Sequence, residues 1–186
     1  ISFAQLAVML VGENDFSLGP MAGLVVVVAS FWLPDGNGPL ALALGSAGLL
    51  AITTLIGLVQ GALIVWLRLP SIVVTLAFFF GLQGVSLLLR PTPEGTIAYG
   101  LSLFFTFPVL VVPLATVLML LVCLGLEWAT FRSAAGRGLR AIGSDMPSAF
   151  KLGIRREVAV PAVFALADLL TGAGGIILAG EVGFGS

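Results

Sequence analysis

The chain has 186 residues, of which 59% are hydrophobic and 9% are charged, with a net charge of −1 and a mean hydropathy of +1.19. Soluble domains carry about 25% charged residues, so this chain has too few polar side chains to cover a surface in water. It contains no histidine and a single cysteine, which removes the usual general base, the commonest metal ligand and any intrachain disulfide. These counts favour an integral membrane protein that is not an enzyme.

Six apolar segments are predicted to be membrane helices, because a helix needs about 20 apolar residues to cross a bilayer. They lack the alternation of polar and apolar residues that membrane β-barrels show, so the predicted fold is an all-α polytopic bundle. Residues 1–186 are predicted to form a single transmembrane domain. In chain order the segments are Ile1–Val11 (apolar but short), Phe16–Leu33, Pro39–Leu67 (long enough to require tilt), Pro70–Leu89, Phe107–Phe131 and Val158–Gly180.

The connectors between these segments are short and rich in turn-forming residues. Residues 35–38, with the sequence DGNG, tolerate positive φ and predict a tight turn. Connector 90–106 contains two prolines followed by an amphipathic patch.

The basic residues predict an orientation in the membrane. Six of the eight Lys and Arg lie in the loop 132–157: Arg132, Arg137, Arg140, Lys151, Arg155 and Arg156. Because basic loops mark the cytoplasmic side, this loop is predicted to be cytoplasmic. Alternation of the spans then puts Arg68 on the same side and Asp35 and Glu94 on the outside.

A short helix is predicted within this loop, over Met146–Leu152. Asp145 is a good N-cap residue, Pro147 falls in the first turn where its missing N–H is not needed, and Gly153 can end the helix in a left-handed conformation. Two turns are not stable alone, so the helix is expected to pack against another surface. It either docks a partner or is an ordinary short helix of a cytoplasmic loop.

Gly136–Ile154, GRGLRAIGSDMPSAFKLGI, resembles the cytoplasmic loop of the permease subunits of ribose/xylose-type ABC importers, which follows the pattern GRxxxAIGgNxxAAxLsGI. Asp145 replaces the usual Asn, while Pro147 and Lys151 replace an acidic and an apolar residue. Four further stretches are similar to that family in the same order along the chain: 11–24, 57–89, 95–98 and 166–186.

The resemblance implies a permease subunit that translocates a simple sugar, of the pentose or hexose class, across the bacterial inner membrane. ATP would be hydrolysed by a partner, and the chain itself has no phosphate-binding GxxxxGK[ST] loop. The implied partners are nucleotide-binding ATPase subunits, a second permease subunit (identical or different), a periplasmic or lipoprotein sugar-binding protein and membrane lipid. No cofactor and no nucleic acid are expected. Further helices are expected before Ile1 and after Ser186.

Two sets of candidate functional residues follow. In the family the loop 132–157 docks on the ATPase, so the candidate docking residues are Asp145, Ser148, Ala149, Phe150, Leu152 and Gly153. Polar groups in apolar spans either join helices or face a water-filled path. The candidate translocation path consists of Asp15, Ser17, Gln60, Thr75, Phe79 and Gln83. For Asp15 a helix cap, and for Phe79 and Gln83 helix packing, are the alternatives.

Asp168, ten residues into the last predicted span, is expected to pair with another polar group of the bundle. Asp15 and Asp168 also keep open a different class of protein, a secondary transporter or channel without an ATPase, whose coupling-ion site often contains paired acids at broken helices. Other solutes that the same kind of ABC permease could carry are a branched-chain amino acid, an autoinducer or a nucleoside.

Overall fold

The computed structural model describes residues 1–92, 94–109, 112–144, 149–150 and 155–185. The helices in these ranges are α1 (Ser2–Met9), α2 (Leu18–Trp32), α3 (Pro39–Trp66), α4 (Ser71–Leu89), α5 (Tyr99–Thr106), α6 (Leu114–Arg132), α7 (Ala134–Ser144) and α8 (Arg156–Val182). Two short antiparallel pairs join β1 (Glu94–Thr96) to β4 (Phe184–Gly185) and β2 (Pro108–Val109) to β3 (Val112–Pro113). Among the described residues α3, α4, α6 and α8 are long and apolar enough to cross a membrane, and α2 is a shorter apolar helix. The predicted all-α polytopic fold is confirmed.

One helix boundary and one whole helix in the second half of the chain differ from the prediction. The span predicted to start at Phe107 starts as a helix only at Leu114, because Pro113 occupies the position before the first turn and the residue preceding a proline avoids the α region. The preceding residues instead form the β2–β3 pair. Helix α7 was not predicted, since Gly136, Gly138 and Gly143 lower its intrinsic propensity.

Helices α3 and α8 run antiparallel and approach closely through glycine. A methyl group on Gly57 would overlap the Phe164 carbonyl, and one on Gly61 would overlap the backbone of Pro161. Small residues at these crossings let two helix backbones pack without the hydrophobic driving force that water provides. Their close approach forms the centre of the bundle.

The connectors meet at two ends of the bundle. At one end Glu13 forms an ion pair with Arg156, and the Asn14 N–H donates to Ser71 Oγ at 3.4 Å. Arg68, just beyond α3, precedes Ser71 and belongs to the same end. We call this the basic end.

At the opposite end the Ala98 N–H donates to the Leu33 carbonyl at 2.8 Å, and the Tyr99 N–H donates to Asp35 Oδ1 at 2.8 Å. Gly36 has a φ of 92°, as the predicted turn requires. The separation of Arg68 and Arg156 from Asp35 agrees with the predicted alternation of spans. The cytoplasmic side of the basic end stays a prediction.

Two buried apolar clusters lie towards these two ends. The cluster nearer the basic end consists of Ala4, Val8, Val11, Leu18, Ile64, Val65, Val74, Ile142, Ala149, Val160, Val163, Phe164 and Ala167. The other consists of Val25, Val26, Ala29, Leu33, Leu49, Ile97, Leu101, Phe105, Ile176 and Ala179. Along α3 and α8, Gln60 and Asp168 fall between the two clusters.

Candidate translocation and coupling site

A buried polar cluster lies where α2, α3 and α8 meet. It consists of Asp15, Ser17, Gln60 and Asp168, which are exposed by 4%, 0%, 0% and 0%. Asp15 and Ser17 directly precede α2, Gln60 belongs to α3 and Asp168 belongs to α8. The cluster therefore joins the start of α2 to the middle of both long helices. We call these four residues the polar cluster.

Hydrogen bonds run through the polar cluster in one chain. The Ser17 hydroxyl donates to Asp15 Oδ1 at 2.7 Å, and the amide of Gln60 donates to Ser17 Oγ at 3.1 Å. The same Gln60 Nε2 donates to Asp168 Oδ2 at 3.2 Å. Ser17 and Gln60 together therefore link the two carboxyl groups. In Gln60, Asp168 has the polar partner expected of it.

Asp15 is held at the beginning of α2. The Ser17 N–H also donates to Asp15 Oδ1, at 2.8 Å, so this oxygen accepts two hydrogen bonds from one residue. A carboxylate at this position also faces the positive end of the helix dipole. Ser17 occupies the N-cap position of α2, and Asp15 accepts from the Ser17 N–H rather than from an N–H of the first turn, so Asp15 belongs to the polar cluster and does not form the helix cap that the sequence suggested.

Three oxygens in this region are buried without a hydrogen-bond partner among the described residues. They are Asp15 Oδ2, Asp168 Oδ1 and Thr75 Oγ1. Buried polar atoms are nearly always paired, so unpaired ones mark positions where a ligand, a water or a proton belongs.

The structure brings together three of the six candidate path residues, namely Asp15, Ser17 and Gln60. Thr75 is fully buried, but no described hydrogen bond links its hydroxyl to them. Phe79 is half-buried and packs edge-on against Phe80, with ring centroids 5.2 Å apart, and Gln83 is exposed. Of the four polar residues in the polar cluster, sequence reasoning left only Asp168 out of the path.

An open cleft of about 490 Å³ reaches Asp15 from the side of α1. Its polar lining comes from Ser2, Gln5 and Asp15, and the rest is apolar side chains of α1 and the start of α2. The polar cluster therefore borders, through Asp15, a space large enough for a small solute.

The connector Leu10–Asn14 contacts the chain on both sides of the candidate docking residues 145–153. Gly12, with a φ of 79°, lies so close to Gly143 at the end of α7 that a methyl group on it would be 3.5 Å from Gly143 Cα. A methyl group on Gly143 would overlap the Leu10 carbonyl. The Glu13–Arg156 ion pair then fixes the other border, where α8 begins.

Only two of the six candidate docking residues lie within the described structure. Ala149 is 1% exposed and belongs to the apolar cluster at the basic end, whereas Phe150 is 79% exposed. Both are helical. Asp145, Ser148, Leu152 and Gly153, and with them the predicted caps and most of the helix Met146–Leu152, lie outside the described residues.

The Gly12–Gly143 contact and the Glu13–Arg156 ion pair together hold this loop, and we call them the clamp. Sequence reasoning missed it. Glu13 and Arg156 are 143 positions apart, and nothing in a single sequence pairs them. The one available signal is Gly12, because a glycine beside the charged residues of a short connector is typical of a left-handed turn.

These features describe a membrane protein with a buried polar cluster and a clamped loop at its basic end. The family described as "Branched-chain amino acid transport system / permease component" matches residues 4–186, so the chain belongs to that family. The predicted identification as a permease subunit is confirmed, and the chain is a multi-pass inner-membrane protein.

Curated relatives agree with this assignment. The Autoinducer 2 import system permease protein LsrC of Yersinia pestis (strain Pestoides F) is 31% identical over 186 residues, which are 99% of this chain and 52% of the relative. LsrC of Yersinia pseudotuberculosis serotype O:3 (strain YPIII) gives the same identity and coverage. The chain spans about half the length of the curated relatives it matches. No solved structure matches the chain.

Proposed function

We propose that residues 1–186 form a single transmembrane unit of an ABC-importer permease that moves a simple sugar across the inner membrane. The observation that carries the proposal is the family match over residues 4–186, to a family of permease components. ATP would be hydrolysed by separate nucleotide-binding subunits. A second permease subunit and a sugar-binding protein outside the membrane would complete the importer.

The polar cluster supports a role in translocation. Asp15 and Ser17 begin a helix beside an open cleft, and Gln60 links them to the central α3–α8 interface. Sugars are bound through hydroxyl groups, which carboxylate and amide groups such as these can accept and donate to. A cluster at a helix start is also able to rearrange more easily than one in the middle of a helix, since its backbone is not fully hydrogen-bonded.

The clamp supports a role for the loop in coupling. A force applied to the loop 132–157 reaches Gly143 and Arg156, and both contact the connector Leu10–Asn14. That connector runs directly into Asp15. Docking of an ATPase on this loop would therefore shift the polar cluster through one short segment, as a change of population between two arrangements.

Co-purification with the neighbouring ATPase from native membranes tests the proposal. The full-length protein should retain an ATPase subunit, and transport in proteoliposomes should require ATP. Phe150→Ala, which removes the exposed aromatic of the loop, should weaken ATPase retention. Phe80→Ala is the matched control, since Phe80 is 69% exposed on α4. Equal retention by both variants would contradict docking at Phe150, and absence of any ATPase would contradict the importer.

The substrate is tested by uptake of labelled ribose, xylose, autoinducer 2 and leucine. The relatives are named for autoinducer 2 import, so this compound is the first alternative to a pentose or hexose. Uptake of only one of these four compounds would assign the substrate class.

A secondary transporter is the second candidate, because Asp15 and Asp168 do meet in one cluster. Such a protein would transport in proteoliposomes without ATP when an ion gradient is applied. Uptake that follows the gradient and ignores ATP would favour it over the importer.

A further inference from the structure

Asp15 and Asp168 are two buried carboxyl groups with no basic partner among the described residues. Helices α1, α2, α3 and α4 contain no Lys or Arg at all, so none of them can supply one. The only basic residue on α8 is Arg156, twelve positions before Asp168, or about 18 Å along a helix. Arg156 also already pairs with Glu13.

The other described charges near these helices also lie away from the cluster, and Arg68 and Arg155, beside the ends of α3 and α8, are exposed. Glu157 and Glu181 lie at the two ends of α8 and are exposed. On α7, Arg140 is stacked over the Phe131 ring at 4.9 Å. On α4 and its flanks, Arg90 donates to Ser30 Oγ at 2.7 Å at the opposite end of the bundle. None of these described contacts neutralises the polar cluster.

Two ionised carboxylates at this depth are not tolerable. Burying one unpaired ion costs several kcal/mol even after relaxation, and a second like charge in the same hydrogen-bonded cluster adds repulsion. One added positive charge removes the repulsion and one of the two burial costs. A proton on one of the two carboxyl groups is the simplest such charge, because it needs no additional space.

The two carboxyl groups are not equivalent. Asp15 accepts two hydrogen bonds from Ser17 and lies at the start of α2, where an anion is stabilised. Asp168 lies in the middle of α8 and accepts a single hydrogen bond, from Gln60. Its other oxygen, Oδ1, is fully buried and has no described partner.

We infer that Asp168 is a proton-binding site: it holds its proton in the folded protein, while Asp15 is ionised. The bound proton leaves a single negative charge in the polar cluster and lets the α3–α8 interface close without a counter-ion. The inference concerns this chain's own residues and holds whether or not an ATPase drives transport.

Dicyclohexylcarbodiimide labelling of the full-length protein in membranes tests the site. A protonated carboxyl adds across one C=N bond of the reagent, its proton moves to the nitrogen, and the adduct rearranges to an N-acylurea that keeps every atom. An ionised carboxylate does not react. At neutral pH the label should appear on Asp168 and not on Asp15, Glu157 or Glu181, and it should disappear at alkaline pH and in Asp168→Asn.

Three results would overturn the assignment. Label on Asp15 instead of Asp168 would reverse the two roles. Protection by sodium at constant pH would make the site a sodium site. Label on neither carboxyl, together with the stability result below, would mean that both are ionised and paired with a base elsewhere in the protein.

Thermal stability gives a readout that does not depend on access of the reagent. A proton held by the folded state and released on unfolding makes the wild type lose stability as the pH rises from the range in which a free aspartate titrates to alkaline pH. Asp168→Asn, a neutral isostere, should lack that loss and match the wild type at low pH. If Asp168 is ionised, Asp168→Asn is instead less stable than the wild type throughout this range.

Discussion

Helices α8 and α6 are both apolar enough to cross a membrane but differ completely in their surroundings. In the most apolar stretch of α8, 56% of the residues are buried inside the protein, whereas in α6 none is. Helix α8 packs on α3 and carries Asp168, while α6 exposes Leu120, Leu121 and Trp128 along its length. Hydropathy identifies both helices as spans and does not tell which of them faces protein.

Glycine does distinguish the two helices. On α8, Gly172 lies against Thr53 and Gly175 lies against Val25, and a methyl group on either would overlap that side chain. On α6, Gly125 has no atom within 4 Å of such a methyl group. A glycine in a membrane helix therefore indicates a protein contact only where a second helix lies within reach, as α8 does at Gly57 and Gly61 of α3.

Gly57→Leu is expected to have the largest effect on stability, because it disturbs the α3–α8 interface that α6 lacks. The new side chain would collide with the Phe164 carbonyl, a backbone atom that cannot move without displacing α8, and overpacking of this kind costs about 1–3 kcal/mol and occasionally more. The free energy of unfolding in detergent, or recovery of monodisperse protein, measures the effect. Gly125→Leu is the matched control and should be neutral or slightly stabilising, because leucine favours a helix by up to about 1 kcal/mol over glycine. Equal losses in both variants would show that the α3–α8 interface is not as close as described.

Gln60→Leu should have the next largest effect. The substitution keeps most of the volume but removes both hydrogen bonds that Gln60 Nε2 donates, leaving the Asp168 carboxyl without a donor, at a cost of about 1–3 kcal/mol. Gln83→Leu is the control, since Gln83 is exposed on α4. Chemical unfolding and solute uptake should be measured together. Wild-type behaviour of Gln60→Leu in both assays would refute a functional polar cluster.

Four of the six predicted spans are long enough to cross a membrane among the described residues, and they were predictable because apolar length alone specifies a membrane helix. The polar cluster was predictable in part. Asp15, Ser17 and Gln60 stand out as polar groups in or beside apolar runs, but whether they meet depends on how α2, α3 and α8 rotate about their axes, which hydropathy does not determine. Thr75 and Gln83 were selected on the same signal. Both lie on α4, where Thr75 is buried and Gln83 is exposed.

The basic end was the least predictable region. Helix α7 contains three glycines, and its existence depends on burial of Ile142 against the neighbouring elements rather than on its own propensity. The Glu13–Arg156 pair joins residues at opposite ends of the sequence. Tertiary contacts of this kind leave no periodic trace in a single sequence.

Glu13→Arg should affect transport more than stability. The ion pair is partly exposed, with the Arg156 side chain 32% accessible, so its loss should cost about 1 kcal/mol of unfolding free energy. Because the pair joins the connector Leu10–Asn14 to the border of the loop, we expect ATP-dependent uptake to fall well beyond what that small loss of stability explains.

The charge-swapped double variant, Glu13→Arg with Arg156→Glu, is the control for coupling through the clamp. It restores an ion pair of reversed polarity and should recover uptake, with an interaction energy of about 1 kcal/mol in a double-mutant cycle. Uptake that stays low in the double variant while stability recovers would assign the two residues separate roles and remove the clamp from the coupling mechanism.

Leu121→Ala on α6 should have the smallest effect, and its value lies in where the effect is measured. Leu121 is 60% exposed, so the isolated protein in detergent should change its free energy of unfolding by less than about 0.5 kcal/mol. Ile64→Ala, at a side chain 1% exposed in the α3 core, is the contrasting control and should cost about 2–5 kcal/mol. If Leu121→Ala is silent in the isolated protein and also in the full assembly, α6 faces lipid. If Leu121→Ala is silent in the isolated protein but weakens the full assembly, α6 contacts another part of the importer. Its apolar surface is then an interface between protein segments rather than a boundary with the bilayer.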